Sequence, residues 1–135
     1  MNIVNEVLGT PDRFEALLGM DLEGSVTMLH LLKFREHASY SDGRETDLTG
    51  EAAYGLYLQD LKGRVESAGG RIVLSEPTRY LVLGQAEDLW DAALAVEYPS
   101  KEKFVEVVTS PEMQESGVHR RAGLGGQLLI ALGGS

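Results

Sequence analysis

Residues 26–34 read VTMLHLLKF, and the fold turns on how that run is read. It is short, rich in large apolar side chains and free of Gly and Pro, which predicts a strand. One face carries Val26, Met28, His30, Leu32 and Phe34; the other carries Thr27, Leu29, Leu31 and Lys33. Both faces are mostly apolar. A strand of that kind is covered on both sides, so it belongs at the centre of a sheet.

The polar stretch 35–50, REHASYSDGRETDLTG, is rich in turn formers. It reads as a long loop with no structure of its own, a lid, a dimer arm or a spacer. Residues 52–68 then give the strongest helical pattern. Ala53, Tyr57, Leu61, Val65 and Ala68 form a stripe that Tyr54 and Leu58 widen, opposite Gln59, Lys62 and Glu66. Gly69-Gly70 supplies a left-handed stop. A strand begins at 71–74, is interrupted by Pro77 and resumes over 78–83, which predicts an edge position or a bulge. After a polar turn at 84–88, residues 89–98 (LWDAALAVEY) alternate. Trp90 opens this run, and Glu97 lies on its Ala93 and Ala95 face. The two runs predict an antiparallel hairpin.

Ser100 as N-cap and Glu102 in the first turn start the next helix, with Phe104, Val107 and Val108 inward. Ser110-Pro111 breaks it and starts a second helical segment to about residue 121. Residues 123–126 read as a turn and 127–132 (QLLIAL) as a last strand. N-terminal to the opening strand, Thr10-Pro11 signals a short helix with Phe14, Leu17 and Leu18 on one side. That extension, residues 1–24, carries five carboxylates against one Arg.

The order is β-α-β-β-α-β behind a short N-terminal helix. Right-handed crossovers turn it into an α+β, ferredoxin-like domain over residues 25–135: a four-stranded antiparallel sheet with helices on one face. The first and third strands are central. The helices cover one face only, so the other calls for the sheet of a second copy, a homodimer.

Composition narrows the function classes. The chain has 135 residues, no cysteine and a net charge of −9. Length predicts one domain. A disulfide framework and a Cys-ligated zinc site are excluded. The acidity argues against nucleic acid and against an anionic membrane surface as partners. With no membrane-length apolar run and no secretory signal, a soluble cytoplasmic protein is expected.

Five stretches carry a resemblance: MLHLLKFR, TGEAAYGLY, AGGRIV, VEYPSKEKFVEVVTSPEM and HRRAGL. Together, over about residues 26–132, the chain resembles the domain-of-unknown-function family 1330, in the dimeric α+β barrel superfamily. The resemblance implies a bacterial-type dimer. It implies relatives among cofactor-independent monooxygenases, muconolactone isomerase-like enzymes and haem-binding proteins, without selecting a reaction. It also implies Asn where this chain has His30.

Several residues are candidates for chemistry. His30, mid-strand and desolvated, has the makings of a neutral acid/base, or of a satisfied core histidine. Lys33 and Glu97 are expected to face one side and pair, with Glu97 a general base beside small alanines or part of a structural ion pair. Tyr54 and Tyr57 project from the first long helix, as cleft-lining or packed rings. Arg71 and Arg121 are candidate anion clamps, and His119 shares the second arginine's basic run, which equally suits a helix C-terminus. Trp90 reads as core or interface more than as a ligand contact. The three His lack metal-ligand spacing, so no metal and no cofactor are expected. The expected function is binding of a small aromatic or carbonyl/carboxylate compound in a helix–sheet cleft. Cofactor-free proton transfer or oxygenation is open, and the alternative is a non-catalytic binding or structural dimer.

Overall fold

The computed structural model describes residues 3–7 and 9–133. Its elements run α1 (Pro11–Gly19), β1 (Val26–Phe34), α2 (Gly50–Ser67), β2 (Arg71–Pro77), β3 (Ala92–Tyr98), α3 (Lys101–Val108), α4 (Pro111–Gly123) and β4 (Leu124–Gly133). The strands form one antiparallel sheet in the order β2-β3-β1-β4. This is the ferredoxin-like arrangement, with β1 and β3 central.

The period of two in β1 sorts its side chains cleanly. Val26, Met28, His30 and Leu32 are buried, and Thr27, Leu29, Leu31 and Lys33 are half-buried. Val26, Met28 and Leu32 pack with Tyr54, Tyr57, Leu61 and Val65 of α2, Phe104 of α3 and Met113 of α4. The helices therefore lie on one face. The other face presents Leu29 and Leu31, flanked in register by Ala95 and Ala93 of β3 and by Ile130 and Leu128 of β4. Among the described residues of the chain no helix covers it. Among the described residues, no helix is long and apolar enough to cross a membrane.

Helix starts follow the local chemistry. The Thr49 hydroxyl accepts from Ala52 N–H at 3.1 Å, and Ser100 and Ser110 cap α3 and α4 in the same way. Thr10 stands at the N-cap of α1 without capping a helix N–H, so Pro11 at N1 starts it. α1 docks through Phe14 on Phe104, with ring centroids 6.0 Å apart.

Four sequence expectations are corrected. The strand expected to resume over 78–83 ends at Pro77, apart from Thr78 N–H donating to Asp91 C=O at 3.0 Å. Pro77 has no N–H to extend the ladder. Trp90 consequently precedes β3, and its indole N–H reaches Asn5 Oδ1 at 3.3 Å. Residues 123–126 are no turn: α4 passes straight into β4 at Gly123 and Leu124. Finally, loop 35–49 has structure of its own. It is pinned by Arg35 N–H to Gly123 C=O at 2.8 Å, Ser39 N–H to Ala122 C=O at 3.0 Å and Ala38 N–H to Leu48 C=O at 3.0 Å. Tyr40 is buried within it.

Candidate functional site

The central strand aims His30 between the sheet and the helices. Its Nδ1 lies 3.1 Å from Met28 C=O and 3.2 Å from Leu94 C=O. Both partners only accept, so Nδ1 carries the proton and Nε2 is left as a free lone pair. Burial pulls the imidazole down to about 4, against the two carbonyls, and the positive charge of Arg120 pulls the same way. His30 is a neutral ring at physiological pH.

On the same side of the sheet lie the tyrosines of α2 and β3. Tyr54 and Tyr57 project from α2 with ring centroids 5.7 Å apart, and Tyr98 closes the end of β3. Burial raises all three phenols, while Arg120 opposes it at Tyr54 and Tyr57. The Tyr54 hydroxyl is buried and has no hydrogen-bond partner among the described residues. A buried hydroxyl left unpaired costs about 1–3 kcal/mol. The half-buried Arg120 donates to Gln127 Oε1 at 2.8 Å, and its charge is felt at His30, Tyr54 and Tyr57.

His30 adjoins an uncovered stretch of sheet. Leu129 sits opposite His30 on β4 and shares its face, yet is 44% exposed. The helical layer covers Leu124 and Gln127 of β4 and stops short of Leu129. Glu6 N–H donates to Gln127 C=O at 3.1 Å and ties the N-terminal extension to the free edge there. Two open clefts, of about 630 and 670 Å³, lie elsewhere. The first is formed by loop 38–47, the second by α2, α4 and Arg44; neither is lined by His30, Tyr54 or Arg120.

The other candidates scatter. Lys33 and Glu97 do not pair, which corrects the sequence expectation. The strands are antiparallel, so Glu97 faces Thr27 at the opposite end of β1, six residues from Lys33. That is about 20 Å of strand. Lys33 instead bonds Asp88 at 3.0 Å, Asp91 at 3.5 Å and Leu89 C=O at 2.7 Å. Its hydrogen bond to Asp88, together with both negative charges, raises the amine. Glu97 pairs with Arg71 at 3.3 Å on the face away from the helices. Neither one reaches the His30 cluster. His119 bonds the Tyr40 hydroxyl at 2.7 Å at the surface of α4. Arg121 folds back along its own helix beside Gly117. Among the described residues, no group of three His, Asp or Glu is placed to hold a metal ion.

Sequence reasoning placed Arg120 in the basic run 119–121 but chose its neighbour Arg121 as the anion clamp. The signal was present: counting helical turns from Met113 through Gly117 puts 120, not 121, on the buried side. Gln127 was missed because its strand was read only for apolar content.

Known structures share this architecture. The RPA0582 protein of Rhodopseudomonas palustris, of unknown function, shares 32% identity over 96% of both chains, with a TM-score of 0.84. Its methylated form aligns at 34% identity over 97% of this chain and 96% of that one, with a TM-score of 0.86. The chain belongs to the family of that protein. A candidate antibiotic biosynthesis monooxygenase from Caulobacter crescentus CB15 shares the fold at 12% identity, covering 82% of this chain and 90% of its own, with a TM-score of 0.54. A dimeric ferredoxin-like protein from Jannaschia sp. CCS1 does so at 12% identity, over 81% of this chain and 98% of its own, with a TM-score of 0.53. No model of a known protein family matches the sequence, and neither does any curated protein.

Proposed function

We propose that this protein binds a small carbonyl or carboxylate compound where the uncovered stretch of β4 meets His30, Tyr54 and Arg120, and that it does so as a homodimer. The observation that carries the reading is the buried Tyr54 hydroxyl without a partner. An oxygen of the ligand would take that donor and the remaining N–H groups of Arg120 together. Its neighbours, the packed tyrosines, suit a flat or aromatic body.

Binding is favoured over catalysis by the state of His30. An imidazole near 4 is a weak base at neutral pH, well below the range where general-base work is efficient. A bound anion would lift it, so proton transfer follows only in the complex. The dimer is supported by the half-exposed apolar face of the sheet. The resemblance to the domain-of-unknown-function family 1330 belongs to the same reading.

Native mass spectrometry of gently purified protein tests both parts. The expected spectrum shows two subunits carrying a defined extra mass, and that mass is lost in Arg120→Ala and weakened in Tyr54→Phe. In parallel, benzoate is titrated calorimetrically in two buffers of different ionisation enthalpy, where binding with proton uptake at His30 is expected. Retention of the extra mass in both variants, or no bound mass and no benzoate heat, overturns the site.

A further inference from the structure

Residues 80–83, Tyr-Leu-Val-Leu, stand out from the rest of the surface. Tyr80 is 79% exposed, Val82 85% and Leu83 89%. They lie in the connection 78–91, which no strand or helix claims. Their types favour strands, and the run carries no charge. A contiguous apolar stretch left in water marks an interaction surface.

Size says what kind. The sheet face away from the helices is four strands wide and presents about fourteen residues in register. A standard stable interface takes roughly 20–30 residues from each partner. The face alone falls short of a firm dimer, and an arm of four large side chains makes up much of the difference. Charge points the same way. Two copies at −9 each repel, so contact has to run through uncharged surface. The centre of the sheet face is uncharged, and so is the run 80–83. The two are joined through β2: its Leu74 lies beside Ala95 on that face and is 42% exposed.

We propose that residues 80–83 are a dimerisation arm that lies on a second copy of this chain. The inference rests on the sheet-face homodimer argued above and names a second part of the same interface. It assigns the long connection between β2 and β3 a task that a simple hairpin turn could not perform.

The test uses the intact chain. Sedimentation equilibrium compares wild type with Ile130→Asp on the sheet face and with Val82→Asp/Leu83→Asp on the arm. The expected result is a wild-type dimer, loss of dimer in Ile130→Asp, and at least tenfold weaker association in the arm variant. Circular dichroism should be unchanged in the arm variant, because its residues are exposed. The chain has no cysteine, so Val82→Cys accepts a single benzophenone maleimide. Irradiation of mixed ¹⁵N-labelled and unlabelled copies should join labelled to unlabelled peptides. If wild type is monomeric, the sheet-face dimer and the arm fail together. If wild type and the arm variant dimerise equally and every adduct is within one copy, the arm is overturned while the sheet-face dimer stands.

Discussion

At the scale of single residues, His30 couples protonation to stability. Its folded value, about 4, lies below the ordinary 6.5 that the imidazole keeps in an unfolded chain. The neutral ring's contribution is therefore full above about pH 6.5 and is lost as pH falls toward 4. The loss amounts to about 3 kcal/mol across that window. His30→Asn keeps a donor for the two carbonyls and removes the titration. Denaturant midpoints measured from pH 7 to pH 4 should fall steeply in wild type and more gently in the variant. Tyr54 gives the opposite kind of test. Tyr54→Phe removes a hydroxyl that already lacks a partner, so the ligand-free protein should keep its stability or gain about 1 kcal/mol. A loss of 2 kcal/mol or more in urea unfolding would mean that the hydroxyl has a partner in solution.

At the scale of elements, the decisive contact is the crossing of α2 and α4. The two helices meet at Gly50 and Gly123. A Cβ on Gly123 would run into Gly50 C=O and lie 2.9 Å from Tyr54 N; one on Gly50 would lie 2.6 Å from Gly123 C=O. Both obstacles are backbone, which cannot swing aside. Gly123→Ala should cost about 3 kcal/mol, seen as a drop of roughly 10 °C in Tm. Gly55, on the exposed side of α2 with nothing near, should behave in reverse: Gly55→Ala gains about 0.5–1 kcal/mol of helix propensity. This crossing also shows what could be read beforehand. Periodicity placed β1, α2 and the sheet order, because a stripe repeating every second or every fourth residue is local information. It could not distinguish a glycine that ends a helix from one that admits another helix. Gly123 was for that reason read as turn. The same limit separated the site: His30 and Tyr54 stood out in their own elements, whereas the antiparallel direction that parts Lys33 from Glu97 exists only once strands pair. Trp90 was displaced because strand-forming residues over 78–83 pull a sequence reading toward pairing that Pro77 prevents.

At the scale of the whole molecule, one apolar face remains uncovered within the chain, and the dimer prediction belongs here. Ile130 is 40% exposed in the single chain. If a second copy covers it, Ile130→Asp should yield folded monomers at micromolar concentration, read by light scattering. The backbone bonds that tie loop 35–49 to the end of α4 have a different consequence. Arg35 and Ser39 donate to the last turn of α4, and Gly50 N–H returns to Arg35 C=O at 3.1 Å. Both ends of the loop are thus fastened to the body, while residues 41–45 between them are exposed. A protease that cuts after Arg44 should leave two fragments that stay together as a folded complex. The amides of Arg35, Ser39 and Gly50 should then resist deuterium exchange nearly as long as those of β1, in the nicked protein as in the whole one.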